Sequence, residues 1–309
     1  MKEYRIIEKL MGSVFELVII HEDENFAQYC LESGIKEIKR LEEKLSEFRN
    51  NSVTSFINQN AGINPITVDE ETFTLIKRCV QLSYLTQGAF DITVSPLKEI
   101  YNFRNKNFKL PSKEKISEAL QKTGYQNILL KDNNCVFLKN KGMKISFAAI
   151  GKGYAADKVI RLWKNAGVKN GVVNASGDLT VMGKNKMNDD WRIGIPDPGD
   201  RKNILFHVPV NDASVATSGN YEQYFISNGK KYSHNINPKT GLPLANIKSA
   251  TVISPSAELS DALATAISVM GEKTGLHFIN QLPNTHAIII DNKNEIYYSE
   301  KINLLQEAV

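Results

Sequence analysis

Strand-like and helix-like segments follow one another along this chain without the regular alternation that a doubly wound sheet requires. Residues 13–20 are rich in β-forming side chains and predict a strand. A long amphipathic helix follows, because apolar residues recur there every three to five positions: Phe26, Leu31, Ile35, Ile38, Leu41 and Leu45. The last third predicts strands near 204–210, 250–253, 287–291 and 295–298, with a helix at about 258–270. This order favours the α+β class, and we expect residues 1–309 to form one domain, or two closely joined lobes.

The middle of the chain adds three predicted helices. Asp69 is a suitable N-cap for one helix, and Pro111-Ser112 precedes another. An apolar stretch at 145–150 predicts a strand that leads into the third helix, which ends at Gly167. A strand at 171–174 and a turn at 176–178 come next, and residues 217–243 predict a polar loop region.

Composition excludes several classes of protein. The net charge of +4 comes from 38 basic and 34 acidic residues that are mixed along the chain, so we expect no nucleic-acid partner. The three cysteines fit no metal or redox spacing, and their odd number suits a reducing compartment. Neither a secretory signal pattern nor an apolar stretch of roughly 20 residues is present. The sequence therefore predicts no membrane segment and a cytoplasmic location as given, or a periplasmic or membrane-associated lipoprotein if a leader has been removed.

One predicted helix carries a candidate metal site. Asp261 and Thr265 are four residues apart, so they project from the same helix face one turn apart. A carboxylate and a hydroxyl are hard oxygen ligands of the kind that magnesium prefers. The same spacing also suits a helix-terminal charge and a threonine bonded to its own backbone, and spacing alone leaves both open.

Glycines surround Lys152 at the start of another predicted helix. Gly151-Lys152-Gly153 would let a ligand approach the backbone closely, and a helix start favours anions. The residues that a P-loop requires are absent, so a plain strand-to-helix turn stays open.

Two further segments concentrate polar side chains. Residues 216–221 and 232–241 bring hydroxyls, amides and His234 together, although a lone histidine is often structural. Gly88–Leu97 places Phe90 beside Asp91, either as a ring-packing and hydrogen-bonding pair for a ligand or as a helix-to-strand connection with a core phenylalanine.

Taken together and in order, these segments closely resemble the ApbE family, the FAD:protein FMN transferases once called thiamine-biosynthesis lipoproteins. The match runs from about residue 10 to 291. It is carried by Met11-Gly12-Ser13, Leu45-Ser46-Glu47-Phe48 with Ser52–Asn58, Gly88–Leu97, Ser146–Asp157, Ser176-Gly177-Asp178 and the Thr217, His234 and Asp261 segments.

The chain departs from the family pattern at three places. Ser146 and Asn237 stand where the family has aspartates, and Ala148-Ala149 replaces a pair of glycines. Losing two carboxylates near the ligand would change how a ring of the dinucleotide is held, or the balance between transfer and hydrolysis.

The resemblance implies an ApbE-like arrangement of mixed sheets with packed helices and an extended cleft for FAD. It implies that FAD is the substrate, that Mg²⁺ is the cofactor, and that FMN moves to a threonine or serine hydroxyl of an acceptor flavoprotein while AMP leaves. Asp261, Thr265 and the Ala149 carbonyl would bind the metal, with the Gly151 carbonyl as second choice. The FAD contacts would come from Met11, Phe48, Ala89, Phe90, Asp91, Ser146, Lys152 and Ile236.

The catalytic residues implied by the resemblance are His234, Asp261 and Lys152. Lys152 would stabilise charge on phosphate oxygens, and His234 would orient or deprotonate the acceptor hydroxyl. Two alternatives remain from the residues themselves: an FAD pyrophosphatase that yields FMN and AMP, and a flavin-binding protein without turnover.

Overall fold

The computed structural model describes residues 1–103, 105, 108–200, 202–221, 223–227 and 229–302. Eight α-helices lie within these residues: α1 (Glu24–Leu45), α2 (Val53–Gln59), α3 (Glu70–Leu85), α4 (Ser95–Glu99), α5 (Lys113–Leu120), α6 (Gly151–Ala166), α7 (Ala257–Met270) and α8 (Glu272–Ile279). None of the helices in the described part of the chain is long and apolar enough to cross a membrane.

Eight strands form one large sheet. Its strands are β1 (Lys2–Leu10), β2 (Ser13–His21), β6 (Gly171–Ala175), β7 (Asp178–Met182), β10 (Ser214–Gly219), β13 (Ile247–Ser254), β14 (His286–Asp291) and β15 (Ile296–Tyr298), in that spatial order. Three smaller sheets are built from β3 (Ile66–Thr67), β4 (Ile128–Lys131) and β5 (Cys135–Leu138), from β8 (Trp191–Pro196) and β9 (Ile204–Val210), and from β11 (Tyr224–Ser227) and β12 (Lys230–Ser233). Each pair of neighbours in the large sheet is antiparallel, so the predicted α+β class is confirmed.

The two faces of the large sheet are covered by different elements. Side chains alternate between the faces of a strand, and Leu17 and Ile19 accordingly join the core formed with α1 and α6. Val18 lies between them in sequence and packs in a separate core with Phe206 and Val208 of β9. The helices therefore cover one face and the β8–β9 hairpin covers the other.

α6 and α7 cross at very close range on the helical face. A Cβ on Gly153 would lie 2.2 Å from the Ala257 carbonyl oxygen, so only glycine fits at this crossing. Next to it, the Asp157 carboxylate accepts from the Ala257 and Glu258 amides, each at 2.9 Å. α6 thus supplies the N-terminal partners of α7 and fixes its position.

Most predicted elements are present, with several corrections. The helices capped by Asp69 and Ser112 form as expected, and Gly167 ends α6 in a left-handed conformation. Residues 145–150 form no strand; they are irregular and then turn into α6. The region 217–243 is not a continuous loop, because it contains the end of β10 and the β11–β12 hairpin.

Candidate functional site

A pocket of about 240 Å³ opens between the β1–β2 turn, the end of α1 and the start of α6. Its lining includes four of the side chains expected to contact FAD: Met11, Phe48, Ser146 and Lys152. Sites for drug-sized ligands span roughly 300–1,000 Å³, so this pocket has room for part of a dinucleotide. The fold therefore gathers residues from four distant parts of the sequence, and we call this space the first pocket.

Met11 is held in the first pocket by an unusual backbone conformation. Met11 and Gly12 are the two central residues of the β1–β2 turn, with φ of +50° and +72°. Positive φ at both positions is the pattern of the tight hairpin turns that match strand twist, and a methionine there is strained. A Cβ on Gly151 would lie 3.5 Å from the Met11 Cε, which places this side chain against the start of α6.

Phe48 lies just past α1 and is 88% exposed. Its amide donates to the Ser46 hydroxyl at 3.2 Å, while its ring makes no part of the buried cores. An aromatic ring left this exposed on a pocket rim is well placed to pack on a planar ligand.

Lys152 forms an ion pair with Asp178, the first residue of β7. Asp178 is almost fully buried, so its charge needs this cation nearby. The turn motif that contains Asp178 does not predict this role, because a turn residue gives no indication of its distant partner, Lys152.

The α6–α7 crossing also brings Asp261, one of the expected metal ligands, against the start of α6. Asp261 is 7% exposed, and its Oδ2 accepts from the Gly153 amide at 3.3 Å. In a regular helix, the Gly153 amide would donate to the carbonyl of Ala149, four residues earlier. Here the Gly153 amide donates to Asp261 instead. Among the described residues, no N–H donates to the Ala149 carbonyl, while the Phe147 and Ile150 carbonyls on either side accept helix-start bonds.

These groups fit a magnesium ion. Thr265 is half-buried one turn beyond Asp261, so its hydroxyl projects from the same face of α7 as the Asp261 carboxylate. Hard oxygen donors with room for water and phosphate are the set that magnesium uses. The described residues hold no group of three or more His, Cys, Asp or Glu able to bind a metal, and the expected set contains only one acid.

His234 is half-buried immediately after β12, although its Nδ1 is buried. Its amide donates to the Gln223 carbonyl at 3.0 Å, and its Nδ1 has no hydrogen-bond partner among the described residues. Burial, with the positive charges of Lys98 and Lys152, lowers the pKa of His234 to about 4. The imidazole is therefore neutral near pH 7 and able to accept a proton.

The side chains of the Gly88–Leu97 segment mainly stabilise the fold. Phe90 is a core side chain, and the buried Asp91 accepts from the Thr93 amide and hydroxyl and from the Tyr125 amide. Burial raises the pKa of Asp91 despite these bonds. A short helix, α4, follows instead of the strand that one interpretation required.

A second pocket, of about 530 Å³, lies at the other end of the α7 face. Ala89, Asn237, Lys239 and Val269 contribute to its lining. Val269 is four residues beyond Thr265, so it lies on the same helix face as the expected metal ligands. We call this space the second pocket; it borders the C-terminal end of α7, while the first pocket is lined by Lys152, the neighbour of Gly153 at the α6–α7 crossing.

Ile236 and Asn237 have local roles in the turn after His234. Ile236 is buried in a cluster with Leu97 and Phe225, so its side chain lies in neither pocket. The Asn237 side-chain oxygen accepts from the Lys239 and Thr240 amides. An aspartate would cap this turn in the same way, and the departure from the family pattern leaves the turn intact.

Comparison with known proteins identifies the family of this chain. A model of the ApbE family matches residues 11–290. The FAD:protein FMN transferase of Klebsiella pneumoniae is 31% identical over 293 residues, which cover 94% of this chain and 90% of that protein. The corresponding protein of Vibrio cholerae is 29% identical and covers 94% of this chain and 88% of its own length.

Solved structures show the same fold. The ApbE protein of Thermotoga maritima superposes with a TM-score of 0.89 at 33% identity and covers 97% of both chains. A Vibrio cholerae flavin transferase ApbE with a histidine-to-glycine mutation gives a TM-score of 0.84 at 27% identity, covering 97% of this chain and 98% of that chain. The resemblance found in the sequence is confirmed, and this chain belongs to the ApbE family.

Proposed function

We propose that this chain is a magnesium-dependent FAD:protein FMN transferase that moves FMN from FAD to a threonine or serine hydroxyl of an acceptor flavoprotein and releases AMP. Family membership and the names of its relatives support the flavin chemistry. The observation that carries the proposal is the α6–α7 crossing, where the Gly153 amide, next to Lys152, donates to the Asp261 carboxylate.

The metal would be held by the Asp261 carboxylate, the Thr265 hydroxyl and the Ala149 carbonyl. When bound, magnesium supplies Lewis-acid polarisation of the diphosphate. Asp157 supports this site indirectly, because its two bonds to the start of α7 hold Asp261 against α6.

FAD would lie extended along α7. One ring system would occupy the first pocket beside Met11, Phe48 and Ser146, and the other would reach the second pocket beside Ala89. Phe90, Asp91 and Ile236 have buried side chains, so we assign them a contribution through their backbone and through the shape of the wall.

The reaction is a substitution at phosphorus. The acceptor oxygen forms a bond to the FMN phosphorus, the bond between that phosphorus and the bridging oxygen breaks, and AMP leaves with the bridging oxygen. His234, neutral and with an unpaired Nδ1, takes the proton of the acceptor hydroxyl. Lys152 stabilises charge on the phosphate oxygens, with Asp178 holding its ammonium in place.

The test uses a peptide with an Asp-x-x-Thr or Asp-x-x-Ser acceptor motif. Incubation with FAD and Mg²⁺ should give flavin fluorescence that stays on the peptide after denaturation, with an equal amount of AMP. Asp261→Ala should abolish both, whereas Asp132→Ala, which changes an exposed acid in the β4–β5 turn, should leave them unchanged.

The outcomes separate the alternatives. AMP released at the same rate without peptide, and no labelled peptide, would identify a pyrophosphatase instead. FAD binding without any AMP would identify a flavin-binding protein. Full transfer by Asp261→Ala would refute the metal assignment.

A further inference from the structure

The first pocket contains the carboxylate of Glu47. Glu47 follows the end of α1 and lines the pocket together with Phe48 and Ser146. Its Oε1 accepts from the Ser146 hydroxyl at 2.6 Å, and its Oε2 accepts from the Ser95 hydroxyl at 2.8 Å. Both serines are buried, so the two ends of the carboxylate are held by groups from distant parts of the chain.

The surroundings of Glu47 are themselves fixed. The Glu47 carbonyl accepts from the Ser55 hydroxyl at 3.2 Å, which ties the end of α1 to α2. The Ser146 amide donates to the Ile92 carbonyl at 2.8 Å. The Asn58 side chain also forms two bonds with the backbone of Ile145, at 2.8 and 3.0 Å. These hydrogen bonds fix the end of α1 and the segments that contain Ser146 and Ile92, so the Glu47 carboxylate is held in place before a ligand binds.

The carboxylate keeps capacity for a ligand. Each carboxylate oxygen can accept about two hydrogen bonds, and the serine hydroxyls use one at each oxygen. Within the described residues Glu47 has no salt bridge. Burial lowers the pKa of Lys98, one turn after Ser95 on α4, and the nearby Glu47 carboxylate opposes this shift. An ionised carboxylate only accepts, so the group that it binds must be a hydrogen-bond donor.

The position of Phe48 indicates which kind of hydrogen-bond donor Glu47 would bind. It is adjacent to Glu47 in sequence, and its exposed ring borders the same pocket. A planar ring that packs on Phe48 would present its edge to the Glu47 carboxylate. Both ring systems of FAD carry an N–H donor on such an edge.

We propose that Glu47 is a specificity-determining residue whose carboxylate, held by Ser95 and Ser146, accepts a hydrogen bond from the N–H edge of a planar ring packed on Phe48. This inference rests on the proposed function for the identity of the ligand, FAD. It also explains how the chain accommodates Ser146, where the family pattern has an acid. The missing carboxylate is supplied by Glu47 from another segment, 2.6 Å from the Ser146 hydroxyl.

The test measures binding and does not require turnover. Titrations with FAD, FMN and ADP in the presence of Mg²⁺ would compare wild type with Glu47→Gln, Glu47→Ser and the double variant Glu47→Ser/Ser146→Asp. Glu47→Gln should weaken FAD binding about tenfold or more, as expected for a hydrogen bond to a charged group. The double variant, which returns the acid to position 146, should bind FAD about tenfold more tightly than Glu47→Ser.

FMN and ADP identify the ring. The half of the dinucleotide that packs on Phe48 should lose affinity as much as FAD does, while the other half binds as in wild type. Glu43→Gln, which changes an exposed acid one turn earlier on α1, is the matched control and should bind all three as wild type does.

Two results would overturn the proposal: FAD binding by Glu47→Gln within about twofold of wild type, or no gain in the double variant over Glu47→Ser. Thermal melting of each variant checks folding, and if Glu47→Gln is unfolded, the comparison of the two serine variants decides. A wild-type protein that binds FAD but transfers no FMN would contradict the proposed function and leave this test intact.

Discussion

The imidazole of His234 lies where burial and two lysines oppose its protonation. Its pKa of about 4 is below the roughly 6.5 of a solvated histidine, so the folded protein binds this proton only in acid. Since the neutral ring is the form that can act as a base, we expect no loss of transfer through His234 between pH 8 and about 5. The rate should fall as the pH approaches 4.

Single-turnover flavin transfer measured across this pH range, with an NMR titration of the imidazole signals, checks the prediction. His234→Gln should slow transfer by roughly 10²–10⁴-fold at every pH above 5. A kinetic inflection near pH 6.5 that disappears in His234→Gln would show that the proton is held differently.

Single residues show how far the sequence predicts the site. The motifs predicted Met11, Phe48, Ser146 and Lys152, which line one pocket. They did not predict the hydrogen-bond partners that hold these residues in place, because Glu47 and Ser146 are 99 positions apart in the sequence. Such pairings depend on how loops pack, and no local pattern encodes that packing.

The α6–α7 crossing depends on the absence of a side chain at one position. Gly153→Ala should force the helices apart, because the new Cβ would lie 2.2 Å from the Ala257 carbonyl oxygen, and backbone cannot move aside cheaply. Overpacking of this kind costs about 1–3 kcal/mol of the free energy of unfolding. Flavin transfer should fall more steeply than stability, since Asp261 is held at the same crossing.

Urea unfolding and transfer assays on the same variant measure both effects. Gly199→Ala is the control, because this glycine is exposed and a Cβ there would meet only the Asp197 side chain. If Gly153→Ala unfolds at the wild-type urea concentration and transfers FMN at the wild-type rate, the crossing has no special role in the site.

Elements with a strong apolar period were predicted best. The stripe of α1 and the cap of α3 are local signals, and both helices form as expected. β10 was missed because several of its residues are polar and give no clear strand pattern. Hydrogen bonds to neighbouring strands stabilise it instead. The Thr217 and Thr251 hydroxyls, for example, hydrogen-bond at 2.8 Å between β10 and β13. β1 was missed because five of its nine residues are charged and only Leu10 is buried in this edge strand.

The described fold places the candidate site residues where the helical layer meets the rim of the large sheet. The β1–β2 turn brings Met11, α6 brings Lys152, and α7 brings Asp261. The β8–β9 hairpin covers the opposite face of the sheet and contributes to neither pocket. Binding of FAD and metal would therefore connect α6, α7 and the β1–β2 hairpin. The core beneath the β8–β9 hairpin would be affected only through the large sheet.

Ligand binding should consequently stabilise the molecule in a metal-dependent way. A ligand at 100 times its dissociation constant adds about 2.7 kcal/mol to the free energy of unfolding. We expect FAD to raise the melting temperature when Mg²⁺ is present, and EDTA to remove most of that rise, because the proposed function has the diphosphate held mainly by the metal at Asp261 and Thr265. Asp261→Asn should behave with Mg²⁺ as wild type does with EDTA, whereas Asp132→Asn should melt like wild type. Differential scanning calorimetry at fixed FAD concentration measures all of these shifts. An equal rise with and without the chelator would mean that the protein grips FAD through its rings alone, and the metal assignment would fail even if flavin transfer occurs.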